Sequence, residues 1–101
     1  PQLRVDPQVF RAVRRWLTKR FSHLDRATPV RFSHSEAMLR MEVDGVAFGC
    51  PAQGVWAHQC TVELGHLLSM HGMVLRQRSL TLEMTADRLE VNGWPLRMCL
   101  C

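Results

Sequence analysis

Tyrosine and isoleucine are missing from this 101-residue chain, and lysine and asparagine occur once each, as Lys19 and Asn92. All four types have AT-rich codons, which points to a GC-rich gene. The arginine bias, twelve of thirteen basic side chains, is therefore weak evidence for a selected phosphate-binding chemistry. No run of about 18 apolar residues exists, so this stretch holds no candidate for a membrane-spanning helix, and the N-terminus lacks the apolar core and cleavage site of a secretory signal. No membrane partner is expected. Also missing are the GxxG loop, the clustered aromatic strand motif and the paired Cys/His finger spacing of the common nucleic-acid modules.

The four cysteines, Cys50, Cys60, Cys99 and Cys101, are irregularly spaced, and a chain of this length buries a core without covalent staples. They read as reduced thiols, with an intracellular location, cytoplasmic or nuclear, as the expectation. Cys99 and Cys101 fall on one face of an expected strand, a poor geometry for a mutual disulfide. His58 and Cys60 near one another, with Cys99 and Cys101 at the far end, invite a zinc site, but knuckle-like pairs are lacking and no metal is expected. Pairing Cys50 or Cys60 with His34, His58, His66 or His71 as nucleophile and base finds no fixed orientation and no oxyanion donor. The acids are scattered. The reading is a non-enzymatic chain with no catalytic residues and no cofactor.

What is present is ordinary globular composition, 47% hydrophobic and 22% charged. The expectation is a single domain over 1–101; opening on Pro1 and closing on Cys99-Leu100-Cys101, it reads as a fragment of a longer protein. The net charge of +4 is unevenly placed. Residues 1–40 carry nine basic side chains against three acidic, whereas the rest carries four against six.

Asp6-Pro7 is a helix start, with a capping carboxylate followed by proline at the first helical position. Phe10, Val13, Leu17, Phe21 and Leu24 then recur at helical spacing, widened by Trp16, and predict an amphipathic helix ending near Leu24. Arg11, Arg15 and Lys19 lie opposite that stripe and Arg14 flanks it. Thr28-Pro29 reads as a connector. Leu39, Met41 and Val43 alternate, Asp44-Gly45 turns, and Val46 to Cys50 returns as a hairpin. From Gly54 to His71, Trp56, Cys60, Leu64, Leu67 and Leu68 predict a second helix with Gly72 as its C-cap, although Gly65 within it is unexplained by core packing. Leu80–Met84, Leu89–Val91 and Trp94–Leu100 alternate about turns at Thr85–Arg88 and Asn92-Gly93, a three-strand meander. The resulting fold class is α+β in the order α-β-β-α-β-β-β, an antiparallel sheet packed against two helices.

Two functional expectations follow. The last strand presents Trp94, Leu96, Met98 and Leu100 on one face and Pro95, Arg97 and two cysteines on the other, too apolar for a bare edge. It points to a protein–protein interaction domain that docks a partner, or another copy in a homo-oligomer, through that edge or a groove beside a helix. The alternative is a nucleic-acid-binding module using Arg11, Arg14, Arg15 and Lys19.

Overall fold

The computed structural model describes residues 2–56, 58–70 and 72–98. Along the chain lie β1 (Gln2–Val5), α1 (Pro7–Phe21), β2 (Pro29–Ser35), β3 (Met38–Val43), β4 (Val46–Gly54), β5 (Cys60–Glu63), α2 (Leu64–Leu68), α3 (Gly72–Leu75), β6 (Leu80–Met84), β7 (Arg88–Val91) and β8 (Trp94–Arg97). The strands form one antiparallel eight-stranded sheet in the order β5-β2-β3-β4-β1-β6-β7-β8. The fold is α+β. The two ends of the sheet meet, because Val62 of β5 bridges Met98 just beyond β8, and the sheet curls into a nearly closed barrel.

Helix α1 forms as its sequence dictates. The Asp6 carboxylate accepts hydrogen bonds from the backbone N–H groups of Gln8 and Val9 (2.9 and 3.1 Å), Pro7 opens the first turn, and Phe10, Leu17 and Phe21 are buried. The helix packs against β4 and α2. The hairpins at Asp44-Gly45 and Asn92-Gly93 have both central residues at positive φ, as two-residue turns between twisted strands require. The Asn92 amide also accepts from Thr81 N (2.7 Å) and donates to Ser79 O (2.8 Å), tying this turn to the start of β6.

The expected helix over 54–71 is corrected. Residues through Gly54 complete β4, Cys60–Glu63 is a strand pairing with β2, and only Leu64–Leu68 is helical there. Cys60, Val62 and Leu64 satisfy a two-residue period as well as Cys60, Leu64 and Leu68 satisfy a helical one. The open edge of β2 decides for the strand, since its backbone groups need partners. Gly72 opens α3 rather than capping a long helix, and His71 lies outside the described residues. Two further strands extend the expected order. In β1, Leu3 and Val5 face inward between β4 and β6, and in β2 Val30 and Phe32 do so between β5 and β3.

Buried side chains from α1, α2 and all eight strands form one continuous cluster, with Phe10, Phe32, Leu39, Met41, Leu64, Leu82, Leu89 and Leu96 fully enclosed. Among the described residues no polar or charged side chain is buried, and no helix is long and apolar enough to cross a membrane.

Candidate functional site

The outward face of α1 is strongly basic. Arg11, Arg15 and Lys19 succeed one another at four-residue steps, so they line one ridge of the helix. Over eight residues that ridge spans about 12 Å. Arg15 and Lys19 are exposed and Arg11 is half-buried. The helix contains no acidic side chain to offset them. Around its first turn, Arg11 faces Arg76, Gln77 and Arg78 across a concavity of about 420 Å³ that also reaches Asp6, Pro7 and Gln8. The cationic ridge therefore continues onto the loop before β6.

Arg14 has a different job. Its guanidinium turns inward across the end of α2 and donates to the carbonyl oxygens of Leu67 (3.4 Å), Leu68 (2.6 Å) and Met70 (3.2 Å). These carbonyls lie in and just past the last turn of α2, where Leu67 O also accepts from Met70 N (3.4 Å), and the planar fork of arginine suits several at once. Partial burial lowers its pKa from the ordinary arginine value by desolvation. Its inward hydrogen bonds separate Arg14 from the exposed ridge.

Trp16, expected to widen the buried stripe, is 44% exposed at the rim of α1. It stands edge-to-face against Phe48 (centroids 5.0 Å apart) and Phe21 (6.4 Å), and the guanidinium of Arg20 lies 5.0 Å from its ring centre.

At the other end of the sheet, the strand expected to dock a partner divides by residue. Leu96 is fully buried and belongs to the core, and Met98 is half-buried beside Val62. Trp94 is 38% exposed. Leu100 lies outside the described residues. The β5 bridge meets the chain at Met98, and among the described residues the seam opens toward Trp94. There a concavity of about 730 Å³ is lined by Trp94, Pro95, Gly65, His66, Arg26 and Glu63, among others. Arg26 donates to Gly65 O (2.9 Å) and Ser69 Oγ, and the Glu63 carboxylate lies 3.4 Å from the His66 imidazole.

The thiols stand apart from both surfaces. Cys50 and Cys60 are buried and unbridged. Desolvation pushes the Cys60 thiol up to about 12 and is the main cause raising Cys50 to about 11, with the Asp6 charge adding to it and a hydrogen bond to Asp6 O opposing. Both are held as protonated thiols, unsuited to nucleophilic attack at neutral pH. His34 shares a hydrogen bond with Ala52 O (3.1 Å), and His58 is exposed. Among the described residues no three His, Cys, Asp or Glu side chains converge as metal ligands do. Compared with protein-family models, with curated proteins and with solved structures, the chain matches none.

Proposed function

We propose that this chain is a nucleic-acid-binding module whose contact surface is the outward ridge of α1, with Arg11, Arg15 and Lys19 meeting backbone phosphates and Arg76 and Arg78 extending the contact past the helix start. The observation that carries this reading is the placement of those cations on two neighbouring elements, with none of them among the buried residues. A phosphate backbone concentrates negative charge along its length, and a straight row of cations on a rigid helix releases its counterions efficiently. Docking through β8 requires a bare apolar edge there. With Leu96 in the core and Met98 bridged to β5, less of that edge is left for a partner.

The test is fluorescence anisotropy of short labelled single- and double-stranded RNA and DNA, at low and near-physiological salt. The logarithm of the association constant should fall linearly with the logarithm of salt concentration, and replacing Arg15 and Lys19 by Ala should flatten that slope by roughly 1.4–1.8. Absence of binding at low salt, or an unchanged slope, sinks the reading.

A second reading is favoured by the Trp94 concavity: docking of another copy of the chain, with the exposed indole as anchor. Asp25 and Glu63 on its rim, beside Arg26 and His66, offer carboxylates to the basic α1 of a second molecule. Sedimentation should then show a mass that rises with protein concentration and reverts to monomer in Trp94→Glu. A monomer at every concentration excludes it.

A further inference from the structure

The aromatic residue that flanks the proposed binding ridge beside Lys19 calls for its own account. Phe21 is buried and Phe48 half-buried, and between them they cover the core beneath the end of α1. Trp16 stands over this pair with nearly half its surface in water. Two edge-to-face contacts fix the ring's orientation, so little conformational freedom remains to be lost when something lands on it. Its helical neighbours at three and four residues are Lys19 and Arg20, and the Arg20 guanidinium already lies over the ring. A rigid, half-exposed indole bordered by two cations matches the chemistry of an unpaired nucleotide, whose base offers a π-face and whose phosphate offers charge.

We infer that Trp16, with Arg20, is a stacking platform that makes single-stranded nucleic acid the preferred ligand of the α1 face. This rests on the nucleic-acid reading of that face. A duplex presents phosphates to the cationic ridge but hides its base faces in the stack, so it gains nothing from the indole. A single strand gains both contacts. Arg20 is exposed, and its guanidinium either swings aside for the base or stacks with it. Because every base has a π-face, the platform tolerates any sequence, and because the base rather than the sugar is read, DNA and RNA strands are both ligands.

The experiment compares oligothymidylate, oligouridylate and a duplex of equal length against the wild-type protein, Trp16→Leu, Trp16→Phe and the Arg15→Ala/Lys19→Ala protein. Trp16→Leu, which keeps an apolar contact on Phe48, should weaken both single strands about ten-fold or more. It should leave duplex affinity and the salt slope unchanged, since no charge is removed. Trp16→Phe should retain most of the affinity. An oligonucleotide carrying 5-iodouracil, photo-crosslinked to the wild-type protein, should attach at Trp16, a readout independent of how any variant folds. Attachment elsewhere, equal affinity of wild type for duplex and single strand, or undiminished single-strand binding by Trp16→Leu would overturn the inference. If the charge variant loses binding while Trp16→Leu does not, the stacking platform falls and the α1 reading stands; if the charge variant binds unchanged, the α1 reading falls as well.

Discussion

Gly65 is the second residue of α2, and it carries no side chain because Arg26 lies across it. A Cβ there would stand 2.7 Å from Arg26 Cβ and 3.0 Å from its carbonyl oxygen. The Gly65 N–H donates to that same carbonyl (2.8 Å), so the approach is fixed by backbone. The sequence marks the glycine but not the distant residue that requires it. Glu36 and Ala37 are the converse case. They form the two-residue turn between β2 and β3 with φ of 52° and 62°, a left-handed conformation that costs an ordinary residue roughly 1–2 kcal/mol. No Asn-Gly or Asp-Gly signals this turn, which is why β2 is illegible in the sequence despite the alternation of Val30 and Phe32 with Arg31 and Ser33. The two buried thiols carry a prediction of their own. Their pKa values are raised from 9.0 to about 11 at Cys50 and about 12 at Cys60, so the folded state favours the protonated form more than the unfolded chain does. The stabilisation is whole below pH 9 and is lost as pH rises through about 11 and about 12. Urea midpoints should be level to pH 9 and fall above it, with no tyrosine ionising in the same range to obscure the effect. A midpoint that stays level above pH 9 would refute the assignment.

At the scale of elements, local signals were readable wherever they agreed with the partner strand. The start of α1, the β3–β4 hairpin and the β6–β7–β8 meander all announce themselves through a cap or a turn dipeptide followed by one clear period. Strand β1 has four residues and β5 has four, too few for a period to outvote its rivals, and each is held by neighbours distant in the chain. The basic ridge was legible because helical spacing alone puts Arg11, Arg15 and Lys19 together. The separation of Arg14 from it was not, since only the fold brings the end of α2 beneath that side chain. Arg14 links α1 to the end of α2, and its removal takes a donor from the carbonyl oxygens of Leu68 and Met70. Arg14→Ala should cost about 1.5–3 kcal/mol, seen as a lower urea midpoint, and Arg14→Lys should recover little because an ammonium lacks the planar fork. Affinity for nucleic acid, measured where both proteins are folded, should be unchanged. A full loss of binding with unchanged stability would return Arg14 to the exposed ridge.

Over the whole molecule, the meeting of the sheet's two ends matters more than any single strand. Strands β5-β2-β3-β4 and β1-β6-β7-β8 make two runs of hairpin-like pairing, joined where β1 lies between β4 and β6 and again where Val62 meets Met98. The core is common to both runs, since Leu3, Val30, Leu39, Leu82, Leu89 and Leu96 share one cluster. Neither half keeps its apolar face covered once the other opens. The chain should therefore unfold in one step. Trp16 packs against Phe48 of β4 in the first run and Trp94 opens β8 in the second, so with the third tryptophan, Trp56, also replaced, the Trp56→Phe/Trp94→Phe and Trp16→Phe/Trp56→Phe proteins each keep one reporter. Both should show the same urea transition, coincident with loss of helical circular dichroism. Leu96→Ala, a cavity in the second run, should shift every signal together by about 2–5 kcal/mol. If the Trp94 signal moved alone while the helix and Trp16 stayed folded, the two runs would be separate cooperative units and the seam at Met98 a contact without energetic weight. If all three moved together, the strand once expected to reach outward for a partner would be the one that closes the barrel on itself.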